Sequence, residues 1–243
     1  MSAAPAPEGL PAHSASILLV EDDETIRRSV ALALERYGYR VATAEDGLVG
    51  LERFREGGHD VLLLDVMLPG LDGIGLCRRV RETSTAPVLM MSARGDSLDV
   101  VSGLEAGADD YVVKPVDTAV LVARIRSLLR RATFASAGSS SVPDPDGTAP
   151  LVFGDLTVDT AGLEVSRAGE PVALAPTELR LLLEFAASPG VVLDRQSLLR
   201  TVWDYGWDGD TRVVDLTVQR LRKKIGADRI ETVRGFGYKL RRN

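Results

Sequence analysis

Five acidic, hydroxyl and basic side chains can share one piece of chemistry. Asp65 ends the apolar run Val61–Leu64 and precedes a Leu-Pro-Gly turn. Glu21 and Asp22 follow Ile17–Val20, Ser92 follows Pro87–Met91, and Lys114 follows Tyr111–Val113. Short apolar runs bounded by turn residues are the pattern of strands buried on both faces. The carboxyl ends of such strands are where open α/β sheets place their ligands. Clustered carboxylates repel one another, and a divalent cation relieves the repulsion. Mg²⁺ prefers oxygen donors and keeps several waters. Glu21, Asp22 and Asp65, with the backbone carbonyl of Met67 in the turn, offer such donors. An aspartate carboxylate can act as a nucleophile and form an acyl phosphate. Mg²⁺ and Lys114 would neutralise the charge on a transferring phosphoryl group, and Ser92 can hydrogen-bond the product.

The elements that must position these residues alternate. Helical periodicity over Thr25–Tyr37, Gly47–Glu56, Ile74–Arg81, Ser97–Ala106 and Asp117–Arg131 separates the strands Ile17–Val20, Arg40–Ala44, Val61–Leu64, Pro87–Met91 and Tyr111–Val113. Five strands alternating with five helices predict a five-stranded parallel sheet with helices on both faces. All strand carboxyl ends then share one edge.

After Phe134 the pattern stops. Ala135–Pro150 is rich in Ser, Gly, Pro, Ala and Asp and has no hydrophobic period. It reads as a flexible linker between domains at 16–134 and 151–243, and residues 1–15 read as a disordered tail. The tail lacks the basic and apolar regions of a secretory signal. The single cysteine, Cys77, excludes an intramolecular disulfide and fits a reducing cytoplasm. With only His13 and His59 beside it, a His/Cys metal site is excluded.

The second domain starts with strand-like pieces at Leu151–Phe153, Leu156–Val158, Glu164–Arg167 and Pro171–Leu174. Helices follow at Pro176–Ala187, Arg195–Val202 and Thr211–Ile225, with Pro at the first turn of one and Asp194 capping the next. Ile230–Val233 and Tyr238–Leu240 flank a hairpin at 234–237. Helix, helix, basic helix and hairpin is the order of an α+β winged helix-turn-helix. The net charge is −6, yet residues 211–243 carry ten basic and three acidic side chains. Val214, Val218, Leu221 and Ile225 form one buried helix face. The rest of that helix offers Arg212, Leu216, Thr217, Gln219, Arg220, Arg222, Lys223 and Lys224. Arg can contact guanine bidentately, Gln can read adenine, and Leu216 or Thr217 can meet a thymine methyl. Arg234 at the hairpin can enter a minor groove or pair with phosphate.

At Glu21-Asp22, Asp65, Ser92 and Lys114-Pro115, with the turn MLPGLDG and the segment GLEAGADDYVVKP, the chain resembles a response-regulator receiver domain. At LAPTELRLLLEFAASPGVVLDRQSLL, DLTVQRLRKKIG and IETVRGFGYKL it resembles the effector of the OmpR/PhoB-type regulators. The resemblance covers residues 16–131 and 151–242. It implies a flavodoxin-like receiver in which Asp65 accepts a phosphoryl group from a sensor histidine kinase. Ser92 and Tyr111 would be the switch residues, and Asp23 a third, less used acid. It further implies homodimers through the face of the fourth helix, fifth strand and fifth helix, with Asp110 and Arg131 as an inter-subunit ion pair. Promoter DNA would be bound as direct repeats, and the loop Trp203–Asp210 would face RNA polymerase. Trp203, Tyr205 and Trp207 fit hydrophobic packing under that loop equally well. The chain departs from the family pattern at Val100, Val116 and Val120, where basic, aromatic and acidic residues are usual. An aspartate-nucleophile phosphatase is disfavoured, because the position two after Asp65 is Met67 rather than a second acid.

Overall fold

A computed structural model describes residues 14–93, 97–137, 149–204 and 210–242. Most of the expected tail and of the linker, and Tyr205 and Trp207, lie outside the described residues.

The first unit alternates β1 (Ser16–Val20), α1 (Glu24–Arg36), β2 (Arg40–Ala44), α2 (Gly47–Glu56), β3 (Val61–Asp65), α3 (Gly73–Thr83), β4 (Val88–Ser92), α4 (Ser97–Ala106), β5 (Asp110–Val113) and α5 (Thr118–Ala137). The sheet order is β2-β1-β3-β4-β5, and all four pairings are parallel. This is the expected doubly wound receiver sheet. α5 runs past the Phe134 boundary read from the sequence. Its helical periodicity weakens there while the backbone ladder continues.

Alternation along β1 and β3 divides the core. Ile17, Leu19, Val61 and Leu63 pack with Leu34 of α1 and Ile125 and Leu128 of α5. Leu18, Val20, Leu62 and Leu64 face Leu76 and Val80 of α3 and Leu104 of α4. Full burial of both faces is why these strands read as unbroken apolar runs.

The second unit comprises β6 (Leu151–Phe153), β7 (Leu156–Asp159), β8 (Glu164–Arg167), β9 (Glu170–Pro171), α6 (Pro176–Ala187), α7 (Arg195–Trp203), α8 (Arg212–Ile225), β10 (Ile230–Val233) and β11 (Gly237–Leu240). β6–β9 form a four-stranded antiparallel sheet, and β10–β11 form the hairpin behind α8. β7, α8 and β11 differ from expectation by one residue at one end, and β9 and α7 also differ. β9 is Glu170–Pro171 rather than Pro171–Leu174, because the turn at Ala168-Gly169, with both residues at positive φ, brings Glu170 opposite Arg167. α7 takes in Trp203, with Asp204 closing it in the left-handed region at φ 61°. A glycine is required where the hairpin returns. At Gly237, φ is 147° and a Cβ would lie 2.1 Å from the Leu193 carbonyl oxygen.

The two units share a core. The cluster holding Leu62, Leu76 and Leu104 continues through Val100 into Leu181, Leu199, Trp203, Val214 and Leu221.

Candidate functional site

Parallel pairing places the ends of β1, β3, β4 and β5 along one rim. Asp65 is the last residue of β3, and its Cα registers with that of Met91 on β4. α3 begins against this strand end, where Gly73 N–H donates to the Val66 carbonyl at 3.1 Å. A Cβ on Gly73 would come within 1.9 Å of the Asp65 carbonyl oxygen, so only glycine lets the helix approach so closely. Asp72 caps α3 by accepting from Gly75 N at 2.6 Å.

Glu21 and Asp65 are buried, at 1% and 5% exposure, whereas Asp22 is exposed. Single carboxylate oxygens of the three lie within 4.8 Å of one another. The Lys114 ammonium donates to Asp65 Oδ2 at 2.7 Å and also to Glu21 Oε2. Burial pushes the Glu21 carboxyl above its usual range, outweighing the Lys114 hydrogen bond and charge. Burial acts against the Lys114 ammonium, but its hydrogen bonds to Asp65 and Glu21 prevail and hold its pKa above the ordinary value. An all-oxygen donor set with two acids already out of water fits a hard divalent cation. Asp65 Oδ1 accepts from Met67 N at 3.2 Å, which fixes the turn that carries the Met67 carbonyl.

Ser92 closes β4 at 2% exposure, and its carbonyl accepts from Lys114 N at 2.7 Å. The Lys114–Pro115 peptide is cis. Asp23 stands outside the carboxylate group: it caps α1 by accepting from Ile26 N at 2.9 Å. Arg27 was not singled out in the sequence. Its guanidinium donates to the Glu21 and Asp22 carbonyls at 2.7 and 3.0 Å and pins the acidic loop. Only the i, i+4 position of a helix following that loop hinted at it.

Tyr111 faces the second unit. Its hydroxyl donates to Asp210 Oδ2 and accepts from Arg212 Nη2 at 3.3 Å. Burial, then the Asp210 carboxylate, push this phenol up to about 12.

The basic helix is placed less simply. Val214, Val218, Leu221 and Ile225 are fully buried, as the periodicity predicts. A second face is buried as well. Thr217 is covered, and Arg220, 8% exposed, donates from Nη1 to the Leu104 and Ala108 carbonyls at 2.8 and 2.7 Å. Arg222 donates to the Ile230 carbonyl and Thr232 of the hairpin. Lys224 pairs with Glu178 at 2.6 Å. Leu216 is half-buried, and Gln219, Lys223 and Arg234 face solvent.

The seam extends to α5 and α7. Trp203 is fully buried and donates its indole N–H to the Asp109 carbonyl at 3.1 Å. Ser127 Oγ donates to the Trp203 carbonyl at 2.9 Å and to Asp204 at 3.0 Å. Arg131 Nη1 donates to the Val202 carbonyl at 3.1 Å. Asp110 is bound by Arg124 at 3.2 Å. Arg131 and Asp110 therefore find hydrogen-bond partners within the chain here. Of the two readings open for Trp203, packing holds. Val100 is 3% exposed, so a charge there would be buried, whereas Val120 stays exposed and Val116 packs partly against the α1–α5 core.

No helix among the described residues is long and apolar enough to cross a membrane. Residues 17–126 match the response regulator receiver domain, and residues 169–240 match the C-terminal domain of transcriptional regulatory proteins. Transcriptional regulatory protein CseB of Streptomyces avermitilis is 63% identical over 95% of this chain and 99% of its own length. Transcriptional regulatory protein AfsQ1 of Streptomyces coelicolor is 50% identical over 93% of this chain and 97% of its own. A solved RitR mutant, 26% identical, superposes with a TM-score of 0.72 over 95% of this chain and all of that one. The chain belongs to the OmpR/PhoB family of response regulators and is a phosphorylation-dependent, DNA-binding transcription regulator.

Proposed function

We propose that Asp65 is the phospho-acceptor of a two-component pathway, taking its phosphoryl group from the phosphohistidine of a sensor kinase. The observation that carries this reading is the shared Lys114 ammonium between two buried carboxylates at the rim. An Asp65 carboxylate oxygen attacks phosphorus, an acyl P–O bond forms, and the P–N bond to the kinase histidine breaks. The departing imidazole takes up a proton as it leaves. Glu21, Asp22, Asp65 and the Met67 carbonyl would hold Mg²⁺, which would neutralise charge on the phosphoryl oxygens. Lys114 shifts from bridging two carboxylates to pairing a phosphoryl oxygen, and Ser92 hydrogen-bonds another. Hydrolysis of the acyl phosphate resets the site.

Ser92 and Tyr111 pass the change to the α4–β5–α5 face, through which two chains pair. The paired effectors then read direct-repeat promoter DNA. Gln219, Lys223 and Arg234 face solvent for this purpose, whereas Arg212, Leu216, Thr217, Arg220 and Arg222 must first be released from their partners in the chain. RNA polymerase is the downstream partner, and the cytoplasm is where such a chain works.

Asp65→Asn tests the site. With acetyl phosphate and Mg²⁺, the wild type gains one acid-stable, base-labile phosphoryl group and the variant gains none. Undiminished labelling of Asp65→Asn overturns the assignment.

A further inference from the structure

We propose that Arg27 is a positioning residue for the cation site. It sets how tightly the rim holds Mg²⁺ by fixing the backbone that aims Asp22, and it takes no part in the chemistry at Asp65. The proposal rests on the phospho-acceptor reading for the cation that the rim takes.

The loop between β1 and α1 spans residues 21–23 and carries two of the three clustered acids. Its start is tied to the sheet, where Glu21 N donates to the Ala44 carbonyl at 3.1 Å. Its end is tied to the helix, where Asp23 accepts from Ile26 N through its side chain and from Arg27 N through its carbonyl. Between these ties, the Glu21 and Asp22 carbonyls turn to one atom, Arg27 Nη1, at 2.7 and 3.0 Å. That nitrogen carries two hydrogens, one for each carbonyl. Hydrogen bonds from a charged donor are the stronger kind.

The two carbonyls belong to the peptide planes on either side of the Asp22 Cα. Holding both planes fixes the backbone dihedrals of Asp22 and so the direction of its Cβ. Glu21 has other support, since it is buried and its carboxylate accepts from Lys114. Asp22 is exposed, so its carboxylate is placed by its backbone rather than by packing. A ligand free to swing must be ordered when the cation binds, and that ordering lowers the affinity. Groups that hold a metal's ligands without touching the metal are worth about 10–100-fold in affinity.

Two other roles fit Arg27 less well. Lys114 is the base that touches the carboxylates, whereas Arg27 donates to carbonyl oxygens, so neutralising the acids falls to Lys114. Helix stability does not account for Arg27 either. It lies in the first turn of α1, where the positive end of the helix dipole disfavours a cation. Helical side chains lean towards the N-terminus, which is how an arginine there reaches back over the loop.

The test uses the full chain and three variants. Arg27→Ala removes both hydrogen bonds. Arg27→Lys keeps the charge but ends one bond short of Nη1. Arg28→Ala removes an equal charge from the next position of the helix, where Arg28 pairs with Glu24 on the exposed surface at 3.4 Å. Mg²⁺ binding is measured by calorimetry without any phosphoryl donor. Arg27→Ala should weaken it about tenfold or more, and Arg27→Lys severalfold. Arg28→Ala should change it by less than about twofold, because solvent screens its charge. Labelling with acetyl phosphate should show the matching split. The Mg²⁺ concentration giving half the maximal rate rises about tenfold in Arg27→Ala, while the rate at saturating Mg²⁺ stays within about twofold of wild type. A purely structural role would lower the urea midpoint and leave both Mg²⁺ readouts unmoved. Wild-type Mg²⁺ affinity in cooperatively folded Arg27→Ala and Arg27→Lys proteins overturns the proposal. So does a loss in Arg28→Ala as deep as that in Arg27→Ala. A wild type that binds Mg²⁺ and is never labelled overturns the phospho-acceptor reading alone, and the affinity series still decides the role of Arg27.

Discussion

The acid rim and the domain seam both take charged groups out of water, but they balance them in opposite ways. At the rim, one ammonium serves two carboxylates and a backbone-pinned loop holds the third acid nearby. At the seam, backbone carbonyls accept from Arg131, Arg220 and the Trp203 indole, while Arg130 and Arg180 pair with Asp204. A buried ion pair repays its desolvation only with good geometry and further hydrogen bonds, and at Glu21 burial still outweighs the Lys114 charge. The rim gathers its charges from the ends of neighbouring strands of one sheet, whereas the seam joins residues far apart in the chain.

The sharpest way to break this contrast is Trp203→Ala. Truncating a fully buried tryptophan costs about 3–5 kcal/mol, and here that loss falls on the joint between domains. Urea unfolding of the full chain, followed by circular dichroism, should split from one transition into two as the domains uncouple. Phosphoryl labelling at Asp65 should survive, because no rim contact involves Trp203. A single transition within about 1 kcal/mol of the wild type would mean that the anchor lies elsewhere.

The contrast also explains what could be read from the sequence. Each rim residue directly follows an apolar run, so strand assignment alone brought Glu21, Asp65, Ser92 and Lys114 to one edge. Asp194 and Pro176 likewise announced their helices through local chemistry. Nothing local announces that Ser127 meets Trp203 or that Arg220 meets Leu104, pairs far apart in the chain and in different domains. The apolar period of α8 marks only one buried face, which leaves Thr217 and Arg220 among the expected DNA-contacting residues. Its second face is buried through polar groups, which carry no hydrophobic signal. Val100 looked like a break in a charged surface. Its burial in the shared core makes valine the expected residue there.

Alkaline pH sharpens the comparison with a smaller effect. Tyr111 has its pKa raised from 10 to about 12 in the docked state, by burial first and then by Asp210, against the opposing Arg212. The neutral phenol therefore contributes stability that is full below pH 10 and is lost as pH rises from 10 towards 12. Tyr111 is partly exposed, and with solvent screening the effect is on the order of 1 kcal/mol. Trp203 emission in the Trp207→Phe background should shift red across that window, and Tyr111→Phe should remove most of the step. Tyr238, whose phenol is also raised, titrates in both proteins and cancels in the difference. An equal step in Tyr111→Phe would detach the switch tyrosine from the seam.

The smallest effect separates two neighbouring acids. Asp22 shares the carboxylate cluster, while Asp23 accepts from Ile26 N and caps α1. Asp23→Ala should therefore lower stability by about 1 kcal/mol, and Asp23→Asn, which keeps the cap, should lower it by a few tenths at most. Mg²⁺ affinity, followed by calorimetry, should change by about twofold or less in both, since solvent screens a charge outside the coordinating group. Asp22→Asn should do the reverse, leaving stability nearly unchanged and weakening Mg²⁺ by about tenfold, because it removes a coordinating charge. If Asp23→Asn weakened Mg²⁺ as deeply as Asp22→Asn, the helix cap would be a metal ligand as well. The rim would then be a four-acid site whose charge exceeds what Lys114 and one cation can balance, unlike the seam, where Asp204 alone meets two guanidinium groups.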